Sequence, residues 1–143
     1  MSRVRAAAVI AASVGLAGCG STAHFADKSR PATPVSLSVY VNDRQVSVSP
    51  ASVGAGPVIF VVSNGAAQTE LVTIRPLSGG GSAASTGPIN PGTSAQVQAD
   101  LGTGSYTVST APPGGSAGGR TIRAATLHIG RPRPNSNNAV MQP

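Results

Sequence analysis

From Val35 onward, apolar and polar residues alternate with the period of two that is typical of β-strands. A first alternating run covers residues 35–41, and a second contains Val46 and Val48. Residues 57–62, with the sequence PVIFVV, are continuously apolar instead. This run predicts a strand that is covered on both faces and places Phe60 in the core.

Further strand-like segments follow along the chain and predict about seven short strands in all; they are residues 71–74, 93–101, 106–108 and 121–129. The segments rich in glycine between them, 78–87 and 112–119, are predicted to be loops. No segment after the N-terminal region has a helical period. The pattern predicts an all-β fold, a β-sandwich over residues 35–130, and a disordered tail at 131–143.

The N-terminal region has the pattern of an export signal. A short basic head precedes an uncharged apolar run at residues 6–18, which is too short to cross a bilayer as a helix. The run ends in Leu16-Ala17-Gly18-Cys19, which resembles the lipobox of bacterial lipoproteins. That resemblance implies cleavage before Cys19 and a lipid on its thiol, with residues 1–18 as signal peptide.

Lipidation would tether the chain to the extracytoplasmic face of the cell membrane through Cys19. Residues 19–34 are then the lipidated cysteine and a polar linker, and the linker spans roughly 20 Å as a flexible chain. Cys19 is the only cysteine in the sequence. The predicted sandwich therefore has no disulfide and must be stable through its core alone.

The composition of the chain argues against one class of binding partner, nucleic acids. The net charge of +6 falls to about +4 once Arg3 and Arg5 leave with the signal peptide, and the aromatic content is 3%. Scattered charge with few aromatics argues against nucleic-acid binding. The single lysine, Lys28, beside nine arginines is typical of a high-GC genome such as that of an actinobacterium.

Two motifs point to a more specific fold. Residues 101–108, LGTGSYTV, resemble a tyrosine corner, in which the hydroxyl of Tyr106 binds nearby backbone. Residues 55–64, AGPVIFVVSN, precede it, with a Pro91-Gly92 turn between the two. In this order they resemble the cupredoxin family, which implies a cupredoxin-like Greek-key β-sandwich.

Active cupredoxins hold copper through two histidines, a cysteine and usually a methionine, a soft donor set that suits the metal. Along the resemblance, Thr69 stands at the place of the first histidine and Thr110 at that of the cysteine. The loop at 111–119, APPGGSAGG, contains neither histidine nor methionine. These departures predict no metal and no other cofactor.

The remaining candidate residues favour structural roles. His128 is expected to be a structural or surface residue of a late strand, and His24 a solvated residue of the linker. Glu70 could act as a base beside the vacated copper site, but we expect a strand-edge carboxylate paired with Arg75 or another arginine. No serine has a nucleophile-elbow or triad setting, so catalysis is not expected.

Three functions are compatible with this sequence. The first is a lipid-anchored envelope lipoprotein with a non-catalytic, non-copper binding or structural module. The second is a metal-handling or electron-transfer protein with an atypical site, to which His128 could contribute. The third is an accessory lipoprotein that docks on a membrane complex. Metal content and the visible spectrum discriminate between the first two.

Overall fold

The computed structural model describes residues 30–115 and 121–135, and these residues form eight β-strands. The strands are β1 (Val35–Val41), β2 (Val46–Ser49), β3 (Ser52–Asn64), β4 (Leu71–Pro76), β5 (Ala84–Ser85), β6 (Ser94–Leu101), β7 (Gly104–Ala111) and β8 (Ala125–Pro132). No helix in these ranges has the length and apolarity needed to cross a membrane. The predicted all-β fold is confirmed.

The strands form two sheets that share β3. In the first sheet, β1 lies between antiparallel β2 and parallel β3, and β6 pairs antiparallel with the other edge of β3. The second sheet has the order β3-β8-β7-β4-β5. Only residues 52–55 of β3 pair with β8. Strand β3 therefore begins in one sheet and ends in the other, which gives the predicted Greek-key sandwich.

The transfer of β3 between the sheets occurs at two glycines. The β3–β8 register shifts after Gly54, and Gly56 has a φ of 127°, which favours glycine. A Cβ atom at Gly54 would lie 2.6 Å from Cγ of Arg133. Glycine at these two positions thus permits both the bend and the close approach of the Arg133 side chain.

The core lies between the two sheets and follows the alternation of the sequence. In β3, the side chains of Val58, Phe60 and Val62 are fully buried. Ile59 and Val61, however, are only half-buried. The prediction that this run is covered on both faces was wrong, because the alternate side chains of a strand point to opposite faces and only one face meets the second sheet.

Several element boundaries differ from the sequence-based expectation. The segment 78–87, predicted as a loop, contains the short strand β5. Strand β8 starts at Ala125 and reaches Pro132, beyond the predicted end of the sandwich at residue 130. The signal peptide and most of the linker (1–29), part of the 112–119 loop (116–120) and most of the predicted tail (136–143) lie outside the described residues.

The sandwich has two distinct ends. The entry end is where the described chain enters β1 at Val35, close to the β6–β7 turn and the end of β8. The far end is where β3 ends at Asn64, β4 begins at Leu71 and β7 ends at Ala111. Parallel β1 and β3 both run from the entry end to the far end, with Val35 opposite Val58 and Val41 opposite Asn64.

Candidate functional site

The two threonines at the predicted copper-ligand positions lie at the far end but make different contacts. Thr110 is on β7 and pairs in register with Val72 of β4. Its Oγ1 is 2.9 Å from Oε2 of Glu70 and 3.0 Å from the carbonyl oxygen of Leu71. The single hydroxyl proton can be donated to either acceptor. Thr110 thus takes part in an oxygen-rich contact between β7 and the start of β4.

Thr69 turns toward a loop. Its Oγ1 donates to Oδ1 of Asn90 at 2.9 Å, in an exposed contact between the β3–β4 and β5–β6 connections. Thr69 therefore helps to hold two loops together, whereas Thr110 binds the carboxylate of Glu70.

Glu70 is the central polar residue of the far end. Its side chain is 1% exposed. Its backbone makes a reciprocal pair of hydrogen bonds with Ile89, at 3.0 and 2.9 Å. Because Glu70 lies an even number of residues before the buried Val72 and Ile74, strand alternation directs it inward. The expected strand-edge position was therefore wrong, and Arg75 lies on the opposite, exposed face of β4.

Asn64, the last residue of the AGPVIFVVSN motif, organises the loop that leads to Glu70. Its side chain is 2% exposed. Its Nδ2 donates to the carbonyl oxygens of Gln68 and Ile89, each at 2.8 Å, and its Oδ1 accepts from the backbone N–H of Ala66 at 2.9 Å. One side chain thus fixes the β3–β4 loop and the segment that pairs with Glu70.

The backbone of Asn64 makes two further hydrogen bonds, both with the segment that leads into β6. Its N–H donates to the carbonyl of Thr93 at 3.0 Å, and its carbonyl accepts from the N–H of Gly92 at 2.7 Å. The predicted Pro91-Gly92 turn is therefore fastened to the end of β3. The sequence signal that could have indicated this role is an asparagine at the end of an apolar strand. If such a residue is buried, its side chain must find several hydrogen-bond partners.

A small cavity of about 70 Å³ lies beside Glu70 and Thr110; its other lining residues are Gln68, Ala111, Pro112, Gly115 and Ile122. A polar cavity of this size has room for more than one water molecule, since one water needs only about 10–15 Å³ of such volume. The cavity combines a carboxylate, a hydroxyl and an amide with an apolar wall.

These donors do not fit a blue-copper centre. A trigonal copper site needs imidazole and thiolate ligands, whereas this lining supplies carboxylate, hydroxyl and amide groups. Across residues 30–115 and 121–135, no group of three or more His, Cys, Asp or Glu is placed to hold a metal ion. Leu16, Ala17, Gly18, Cys19 and His24 lie outside these ranges.

His128 lies away from this site. It is exposed on β8, in register with Ser105 of β7 and Ser52 of β3. Its Nδ1 is 3.0 Å from Oγ of Ser105. The predicted surface position of His128 is confirmed.

The predicted tyrosine corner is present near the entry end. The hydroxyl of Tyr106 donates to the carbonyl oxygen of Gly102 at 3.0 Å, four residues back across the β6–β7 turn. The ring is 9% exposed and belongs to the core. This confirms the contact predicted from the LGTGSY motif.

Comparison with known proteins yields matches among solved structures only. No protein-family profile matches the sequence, and no curated protein is significantly similar to it. The chain is similar to reduced auracyanin from Roseiflexus castenholzii, with 16% identity, a TM-score of 0.47, and coverage of 68% of this chain and 98% of that one.

Two further solved structures are similar to a comparable degree. An azurin from Methylomonas sp. strain J shares 12% identity with a TM-score of 0.48, over 66% of this chain and 97% of the azurin. Auracyanin A from Chloroflexus aurantiacus, a blue copper protein, shares 14% identity with a TM-score of 0.47, over 68% and 99%. These cupredoxins resemble the chain in fold alone, and no ligand of this chain follows from them.

Proposed function

We propose that this protein is a lipid-anchored lipoprotein of the bacterial cell envelope, and that its cupredoxin-like sandwich is a non-catalytic, non-copper binding or structural module. The observation that carries the proposal is the hydrogen bond from Thr110 to the buried carboxylate of Glu70. It places oxygen chemistry at the position where the cupredoxin resemblance would put a thiolate.

The chemistry of this pair opposes a redox role. A threonine hydroxyl is neutral and a poor ligand for copper, and a carboxylate is a hard donor that suits Mg²⁺ or Ca²⁺ better than Cu(I). A buried carboxylate is costly unless hydrogen bonds or charges compensate it. Accepting the Thr110 hydrogen bond is one such compensation, so we assign this pair to the stability and shape of the far end.

The direction of the chain decides which end of the sandwich would face away from a lipid on Cys19. If Cys19 carries lipid, ten residues separate it from Arg30, where the described chain begins. The chain enters β1 at the entry end, so the cavity beside Glu70 lies at the end directed away from the lipid. A partner in the envelope would therefore reach the far end first.

Replacing the lipidated residue tests the anchor. We expect Cys19→Ala to abolish incorporation of a labelled fatty acid and to move the protein from the membrane fraction to the soluble fraction or leave it as precursor. Ser21→Ala, two residues away, is the matched control and should keep the label. Equal labelling of wild type and Cys19→Ala would refute the anchor.

A further inference from the structure

Charge is divided unequally between the two ends of the sandwich. Among the described residues, the far end carries two arginines and two acidic residues, which balance; they are Arg44, Arg123, Asp43 and Glu70. Within the same described ranges, the entry end carries four arginines and one aspartate, a net charge of +3; they are Arg30, Arg75, Arg131, Arg133 and Asp100. Of the residues that the structure describes, those at the entry end are thus the more basic set.

The same end exposes a large apolar side chain. Of the described large hydrophobic residues, Tyr40 and Leu77 are exposed, at 50% and 59%. Tyr40 has a packing partner, because its ring lies so close to Gly65 that a Cβ atom there would be 2.2 Å from the Tyr40 hydroxyl. Leu77 follows β4 at the start of a glycine-rich loop, two residues after Arg75, and its N–H is held by the carbonyl of Ser105 at 2.8 Å.

Arg133 binds the entry segment, which is the described part of the chain before β1 (residues 30–34), to this end of the sandwich. The guanidinium Nη1 donates to the carbonyl of Thr33 at 2.8 Å, while Nε and Nη2 donate to the carbonyls of Ala55 and Pro57 on β3. One side chain thus joins the last residues before β1 to the bend of β3. The entry segment is therefore held against Arg133, which follows the exposed Arg131 by two residues.

We propose that the entry end is a second membrane contact that binds anionic phospholipid headgroups, with Arg75 and Arg131 at the phosphates and Leu77 at the acyl boundary. The inference rests on the proposed lipid anchor, because only ten residues separate Cys19 from Arg30 and ten residues of any conformation span at most about 35 Å, which would keep this end near the bilayer. Surface arginines are attracted to an anionic leaflet, and an exposed leucine beside them gains apolar contact. The contact would orient the far end outward.

Vesicle binding of the chain from residue 20 onward tests this contact apart from lipidation. That chain keeps every contact described above and contains no cysteine. We expect it to sediment with vesicles of equal phosphatidylglycerol and phosphatidylcholine, and not with phosphatidylcholine alone. Arg75→Gln with Arg131→Gln should weaken binding by roughly thirty-fold, from the usual contribution of a surface arginine. The matched control, Arg44→Gln with Arg123→Gln at the far end, should weaken it less than three-fold.

A fluorescent probe locates the contact. Leu77→Cys and the control Ala67→Cys, an exposed residue at the far end, each give this chain a single thiol for an environment-sensitive dye. We expect a blue shift and quenching by spin-labelled lipid for the dye at residue 77, and neither for the dye at residue 67. Three results would overturn the proposal. They are no binding to anionic vesicles, equal losses of vesicle affinity in the two double arginine variants, and equal emission shifts for the dyes at residues 77 and 67. Because Cys19 is absent, none of these results depends on the anchor.

Discussion

The two ends of this sandwich are organised by different interactions. At the far end, buried polar side chains are satisfied by hydrogen bonds: Asn64 makes three with two backbone segments, and Glu70 accepts one from Thr110. At the entry end, a half-buried arginine binds three backbone carbonyls, and other arginines are exposed. The polar groups of the far end are therefore used within the fold, whereas exposed arginines of the entry end can contact another molecule or a membrane.

The largest expected effect concerns the core that both ends share. Phe60 is fully buried in β3. We expect Phe60→Ala to lower the free energy of unfolding by about 3–5 kcal/mol, because it removes apolar contacts and leaves a cavity. Chemical denaturation measures this loss. Ile59→Ala, on the half-buried face of the same strand, is the control and should cost less than half as much; equal losses would show that the assignment of faces is wrong.

A smaller effect is expected at the far end. Thr110→Val keeps the shape of the side chain but removes the hydroxyl that donates to Glu70. Because hydrogen bonds to charged groups contribute about 1.5–3 kcal/mol, we expect a loss in that range by thermal or chemical unfolding. Thr107→Val, on the outward face of the same strand, is the matched control. If both variants unfold at the wild-type midpoint, the Glu70 contact does not stabilise the far end.

The smallest effect is expected near the entry end. Tyr106→Phe removes the hydrogen bond to the carbonyl of Gly102, a neutral acceptor. We expect a loss of about 1 kcal/mol, since a neutral hydrogen bond contributes less than one to a charged group. If Tyr106→Phe lowers the free energy of unfolding more than Thr110→Val does, the hydrogen bond at the entry end contributes more to stability than the one at the far end, which is the opposite of what we expect.

The sequence predicted features that depend on short segments. The alternation of residues 35–41 defines β1 and its buried face, and the tyrosine corner joins residues only four apart. Strand β5 was missed because two residues carry no periodic signal. The extension of β8 was missed because Gly130 and Pro132 are not typical strand residues.

The candidate site could be predicted only in part, because its contacts join distant segments. Thr110 and Glu70 are 40 residues apart, and Asn64 reaches Ile89 across 25 residues. The inward direction of Glu70 follows from strand alternation, but its partners lie on distant segments. The Arg133 contacts likewise span 76 or more residues, and the residue fell within the predicted tail. The cupredoxin resemblance singled out Thr69 and Thr110 as residues of interest, but it did not indicate which residues they contact.

Copper titration of the chain from residue 20 onward, without a tag, tests most directly the claim that the far end is an oxygen site and not a copper site. Isothermal titration at neutral pH should give no site tighter than about 1 μM for Cu(II) or Cu(I), and the visible spectrum should lack the intense band of a copper–thiolate bond. A stoichiometric submicromolar copper site that is lost in Glu70→Gln or in His128→Ala would contradict the account.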